Sequence, residues 1–163
     1  MANIERAITQ TQLRKTREII KPQLLNFEFF KRHRDYGAVF IRLVIGTFII
    51  WGVQDNVLSW DRMLEFSQFL RKNGVPSPLF AANLSVYAQL ICGISILLGA
   101  FIRPASVIFI INFIFAILIA HRGDSFRGMF PALMMIAAGL FFLFNGAGKL
   151  SIDEALERRT VRG

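Results

Sequence analysis

Apolar residues in this chain fall into four long blocks separated by polar gaps: Tyr36–Val53, Leu79–Ile102, Pro104–Ala120 and Met129–Asn145. A hydrocarbon layer of about 30 Å takes roughly 20 helical residues, with a range of about 17–25. All four blocks fall in or near that range. Lipid offers backbone N–H and C=O groups no partners, so each block is expected to be helical. Four consecutive blocks this apolar are improbable as the core of a soluble domain. The pattern predicts an all-α integral membrane protein, a four-helix bundle built over 36–153.

The first gap is longer than a turn needs. Ser59–Pro78 (SWDRMLEFSQFLRKNGVPSP) reads as a short amphipathic helix between the first and second spans. Ser59 is placed to cap it, and Asp61 suits its positive end. Trp60, Met63, Leu64, Phe66, Phe69 and Leu70 supply apolar surface. Arg71 and Lys72 suit the last turn, Gly74 a left-handed stop, and Pro76 prevents continuation. Such a helix either lies at the membrane interface with Trp60 at headgroup level or caps the mouth of the bundle. Residues 1–35 form a basic arm in which cations alternate with Leu, Ile and Phe; it reads as interfacial or as a flexible tail, and it lacks the apolar core of a signal peptide. Residues 154–163 are a charged tail.

Charge changes the picture in one respect. The chain carries 19 Lys and Arg against 11 Asp and Glu, a net +8. In a soluble domain that balance would point to nucleic acid. Here the cations gather at the ends and in the gaps, so the lipid bilayer and not nucleic acid is the expected partner. With the N-terminus inside, the inner segments hold thirteen Lys and Arg and the outer segments five, Arg42 lying within a span. That asymmetry places both termini in the cytoplasm. The single cysteine, Cys92, sits in an apolar block, so no dithiol centre forms within the chain, and no metal-ligand spacing occurs.

A few polar residues stand inside or beside the apolar blocks. On the second span Ser85, Gln89, Cys92, Gly93, Ile96 and Gly99 share a face, a stripe of small residues with one amide near the bilayer midplane. On the third span Asn112 shares a face with Ala105, Phe109 and Ala116 and is a natural partner for Gln89. On the first, Ala38, Arg42 and Gly46 are spaced i, i+4, i+8. Arg42 lies about 9 Å in from Tyr36, within reach of the headgroups by snorkelling, although an ionisable residue in a span is also a functional candidate. In the last gap His121 and Asp124 (IAHRGDSFRGMFP) are expected on the outer side, where Asp55 and Asn56 at the end of the first span would converge with them. Histidine titrates near neutral pH, so such a cluster would pass protons or bind an anion or a quinone carbonyl; the alternative is a polar turn meeting water.

The stretches IRLVIGTFIIWG, FLRKNGVPSPLFAANLSVYAQLICGISILLGAFIRPAS, AHRGDSFRGMFP and FNGAGKLSID together resemble the DoxX family of small four-helix bacterial membrane proteins. The resemblance runs from Tyr36 to Asp153. Its most specific pieces are Gly74-Val75-Pro76, the LLGAFIRPA turn at Arg103, His121 and the closing GAGKLSID. It implies a bacterial inner-membrane bundle with cytoplasmic ends, and association with membrane complexes that handle thiols, sulfur compounds or quinone. Gln89 stands where relatives commonly carry an acid, and the lysine often found after the first span is replaced within QDNVLS.

Three functions remain open at this level. One is a subunit or accessory of a membrane redox complex with quinone as its ligand, lying near Gln89 or at His121, the catalytic residues being unassigned. The second is a non-catalytic anchor or assembly factor with a protein partner or a second copy of itself. The third is a small-solute transporter using Arg42, Gln89 and Asn112, although no inverted repeat is visible.

Overall fold

The computed structural model describes residues 32–160. The chain divides into two units, Met1–Arg34 and Asp35–Gly163, and the helical bundle is the second. The basic arm read in residues 1–35 lies almost wholly outside the described residues. Among those described, there are six α-helices and no strand: α1 (Gly37–Leu58), α2 (Trp60–Lys72), α3 (Pro78–Leu98), α4 (Ile102–Ala120), α5 (Phe126–Asn145) and α6 (Ile152–Thr160). Four of them, α1, α3, α4 and α5, are long and apolar enough to cross a membrane. The all-α bundle with a short helix between its first two spans is therefore the observed architecture.

Helix α1 packs mainly on α3, α4 packs mainly on α5, and α3 joins the two pairs by packing on α4. The inward faces are narrow. Ala38, Arg42, Gly46, Ile49 and Val53 are the buried positions of α1, and Phe109 and Phe142 are fully enclosed on α4 and α5. Much of the outward surface is Phe, Leu, Ile and Val, as a span facing lipid requires.

The helix limits depart from the apolar blocks for backbone reasons. Helix α1 does not stop at Val53. Its ladder runs on through Gln54, Asp55 and Asn56, and it ends where Ser59 turns extended and donates its N–H to the Asp55 carbonyl at 2.9 Å. Helix α3 stops at Leu98, short of Ile102, because Gly99 adopts a left-handed conformation at φ +65° and Ala100 N–H closes back on the Ser95 carbonyl. Helix α4 begins at Ile102 instead of Pro104. Pro104 then falls in the first turn, where a missing N–H costs nothing. Helix α5 begins at Phe126, after the extended Ser125, and carries Pro131 inside it.

Helix α2 has the expected amphipathic character but a different cap. The Ser59 side chain makes no capping hydrogen bond; the residue serves only through its extended backbone. Asn73 closes the helix, Gly74 follows at φ +77°, and Val75 N–H bonds the Leu70 carbonyl. Met63, Ser67 and Leu70 are buried, Met63 and Leu70 joining a small core with Val53 of α1 and Ala82 and Val86 of α3. Trp60 stays outside. Helix α2 thus covers one end of the bundle, the end where α1 finishes and α3 starts.

Two spans approach closely at Gly46 and Gly93. A Cβ on Gly46 would lie 2.9 Å from the Cβ of Leu97 and 3.0 Å from the Gly93 carbonyl oxygen, whereas a Cβ on Gly52 would meet nothing within 4 Å. Contact between spans has to come from fit, since lipid supplies no hydrophobic drive between helices. Gly46→Val is expected to destabilise the bundle by about 1–3 kcal/mol, the usual cost of overpacking. The midpoint of thermal unfolding in mild detergent should fall for Gly46→Val and stay near the parent value for Gly52→Val; equal effects would contradict this packing.

Candidate functional site

Three polar groups of different character are built into the bundle. The most enclosed surrounds Arg42, whose residue is only 3% exposed. Its guanidinium is met by backbone carbonyls of the chain itself. It turns inward at the end of the bundle where α1 and α4 begin and α3 and α5 finish. An arginine has five N–H donors, and here each meets a backbone carbonyl. Nε donates to Ile96 (3.0 Å). Nη1 donates to Ala147 (3.0 Å) and Lys149 (3.3 Å), and Nη2 to Leu97 (3.1 Å) and Leu150 (3.2 Å). Two of these carbonyls belong to the last turn of α3, where the helix leaves C=O groups unpaired and carries partial negative charge. The other three belong to the segment 146–151 that follows α5.

The same segment is fixed from its other side. Asp153 accepts hydrogen bonds from the Phe101 N–H (2.7 Å) and the Ile102 N–H (3.0 Å), so it caps α4 from 51 residues away in sequence. Its own N–H donates to the Gly99 carbonyl at 3.0 Å. Gly99 has to be glycine on two grounds: φ is +65°, and a Cβ would sit 2.7 Å from Arg42 Cζ and 2.6 Å from Ser151 Cβ. Ser151 and Glu154 complete the anchorage, Glu154 N–H donating to Ser151 Oγ and the Glu154 carboxylate accepting from Leu150 N–H. This S-x-x-E pattern is readable in the sequence as a helix start. It is the local signal for α6, which the apolar blocks alone do not reveal.

The second group lies between α3 and α4, within the spans. Gln89 and Asn112 are not direct partners. Ser85 stands between them: Gln89 Nε2 donates to Ser85 Oγ at 3.1 Å, and Ser85 Oγ donates to Asn112 Oδ1 at 2.8 Å. The i, i+4 spacing of Ser85 and Gln89 puts both side chains on the α4-facing side of α3. The ladder stops at the Asn112 amide nitrogen, which is enclosed and has no acceptor among the described residues. Cys92, also buried, donates its thiol to the Ala105 carbonyl at 3.3 Å and is a packing residue.

The third group comprises the two ends expected to meet at the α2 side. His121 and Asp124 do come together, with Nδ1 2.9 Å from the carboxylate and the His121 side chain 29% exposed. Asp124 lies over the first turn of α5, close enough that a Cβ on Gly128 would be 3.0 Å from it. Asp55 and Asn56 are engaged elsewhere. Asn56 Nδ2 donates to the Arg62 carbonyl at 3.1 Å. Arg62, with a pKa raised by its hydrogen bond to Glu65, also feels the Asp55 charge. No hydrogen bond or ion pair among the described residues joins them to His121 or Asp124. The hydrogen bonds and ion pairs of the described residues thus form two sets here, His121 with Asp124 and Asn56 with the start of α2.

Comparison with known proteins agrees with this architecture. The DoxX family profile matches residues 37–122, which spans α1 to the turn after α4. An uncharacterized membrane protein of Mycobacterium tuberculosis is 29% identical over 140 residues, 77% of this chain and 84% of its own length. The inner membrane protein YphA of Escherichia coli is 27% identical over 134 residues, 75% of this chain and 96% of its own. No solved structure matches. With more than half of the chain covered by the profile and its four spans in place, the protein belongs to the DoxX family.

Proposed function

We propose that this protein is a membrane subunit or accessory of a redox assembly, and that its own contribution is to hold a quinone carbonyl at the Gln89–Ser85–Asn112 ladder. The observation that carries this reading is the unspent donor of Asn112. In hydrocarbon an unsatisfied N–H costs several kcal/mol, so the vacant donor favours an acceptor brought to it. Carbonyl compounds are among the acceptors that dissolve in lipid, and a quinone presents a carbonyl at either side of its ring. Gln89 and Ser85 hold Asn112 in orientation through the two bonds already described. The chain's one cysteine leaves electron delivery to a partner. The residues fit the binding of such a ligand; the redox chemistry is the quinone's own.

The charge asymmetry of thirteen against five supports cytoplasmic termini, and the similarity to an inner membrane protein of Escherichia coli supports that location. In that orientation the Arg42 end faces the cytoplasm and the His121–Asp124 pair faces outward.

Two measurements test this reading. Asn112→Leu, which removes the amide at similar volume, is expected to cut the quinone retained by the purified protein about tenfold, the worth of one buried hydrogen bond of about 1.4 kcal/mol. The Ser85→Ala variant should show a smaller loss. Retention unchanged in Asn112→Leu, or no quinone retained by the parent, contradicts the assignment. For orientation, a cysteine introduced near residue 160 in a Cys92→Ala background should resist an impermeant maleimide added to intact cells; ready labelling would invert the topology.

A further inference from the structure

The Arg42 end carries a cleft of about 540 Å³ between the start of α4, the segment after α5 and α6. Its lining holds both signs of charge. Asp153 and Glu154 are spent on backbone N–H groups, and Lys149 lies 3.8 Å from Asp35. Arg103 and Glu157 also line the cleft, and neither makes a hydrogen bond or ion pair among the described residues. At its edge Asn145, the last residue of α5, is shared with a second depression of about 470 Å³. That one is apolar, formed by Ala137, Leu140, Phe141 and Phe144 along the outer face of α5. From Ala137 to Asn145 the helix runs about 12 Å, from the middle of the span to its end.

An open cleft of mixed polar and apolar lining at the end of the spans, sharing Asn145 with an apolar depression down one of them, offers a place for a lipid headgroup beside a place for an acyl chain. We propose that the two together bind one aminophospholipid, phosphatidylethanolamine in kind. Arg103 takes the phosphate, Glu157 takes the primary ammonium, and an acyl chain lies along Leu140, Phe141 and Phe144. Charge complementarity selects this headgroup. Arginine is suited to phosphate by its fork of donors. Glu157 attracts the ammonium, and its charge disfavours a lipid of net negative charge. Such a molecule would fill the space beside the Arg42 anchorage and hold α6 against the membrane surface. The site is remote from the Gln89–Ser85–Asn112 ladder and independent of the quinone reading.

The test uses the full chain in mild detergent, offered phosphatidylethanolamine and phosphatidylglycerol at equal concentration and read by native mass spectrometry. The expected result is a one-to-one complex with phosphatidylethanolamine. Arg103→Ala should reduce it about tenfold, as loss of a charge-assisted hydrogen bond does. Arg71→Ala, on α2, should leave it unchanged. Glu157→Lys should move the preference to phosphatidylglycerol, which decides the matter even if Arg103→Ala lowers the yield of folded protein. Preference of the parent chain for phosphatidylglycerol, equal retention by Arg103→Ala, or an unaltered preference in Glu157→Lys would each overturn the proposal.

Discussion

A guanidinium withdrawn from water costs several kcal/mol unless every donor is met and negative charge surrounds it. Arg42 is met on all five donors, and the carbonyls that meet it belong to two separate parts of the chain. The last turn of α3 and the segment after α5 are thereby tied to α1 by one side chain. Remove the cation and five carbonyls lose its hydrogen bonds, the Ile96 carbonyl keeping the one from Gly99 N–H. Asp153 works on the same joint from the opposite direction, capping α4 through two backbone N–H groups. All four spans therefore meet at one polar knot. Lys149 adds a weaker tie, its ammonium 5.4 Å from the centre of the Tyr36 ring.

Everything near the knot is sized to admit it. Gly99 leaves room for the guanidinium, and a Cβ on Gly148 would come within 2.7 Å of the Asp35 carbonyl oxygen. One turn deeper, Gly46 and Gly93 bring α1 and α3 into close contact. The opposite end is held differently, by apolar packing of Met63 and Leu70 of α2. One end of the bundle is thus fixed by directional hydrogen bonds and the other by side-chain fit. The polar ladder of α3 and α4 sits between these two anchorages, where the helices that carry it are held at both ends.

The four spans are legible in the sequence because their cause is local: a run of apolar residues long enough for the bilayer has one stable conformation there. The amphipathic character of α2 is legible for the same reason, and so is the inward stripe of Ala38, Arg42 and Gly46. Arg42 shows where local reasoning stops. Its depth allows snorkelling, and nothing in its neighbourhood reveals that carbonyls 54 to 108 residues away converge on it. Periodicity suggests a direct bond between Gln89 and Asn112; helix rotation interposes Ser85, a residue of the same face with no evident role in the sequence. The hydrogen bond from Asn56 to the Arg62 carbonyl is not legible either, because the first apolar block ends before its helix does. The LLGAFIRPA turn and GAGKLSID look like two separate signatures along the chain, yet they form one structure with Asp153 as its link.

The central claim is that Arg42 holds the segment after α5 in place, and hydrogen exchange in Arg42→Met tests it most directly. Methionine preserves much of the side-chain length and is apolar, so the spans should stay helical. Amide protection at Asp153, whose N–H bonds the Gly99 carbonyl, is expected to collapse while amides in the middle of α1 and α5 keep theirs. Arg42→Lys, with three donors in place of five, should recover only part of it. Protection at Asp153 equal to that of the parent chain in Arg42→Met would contradict the claim.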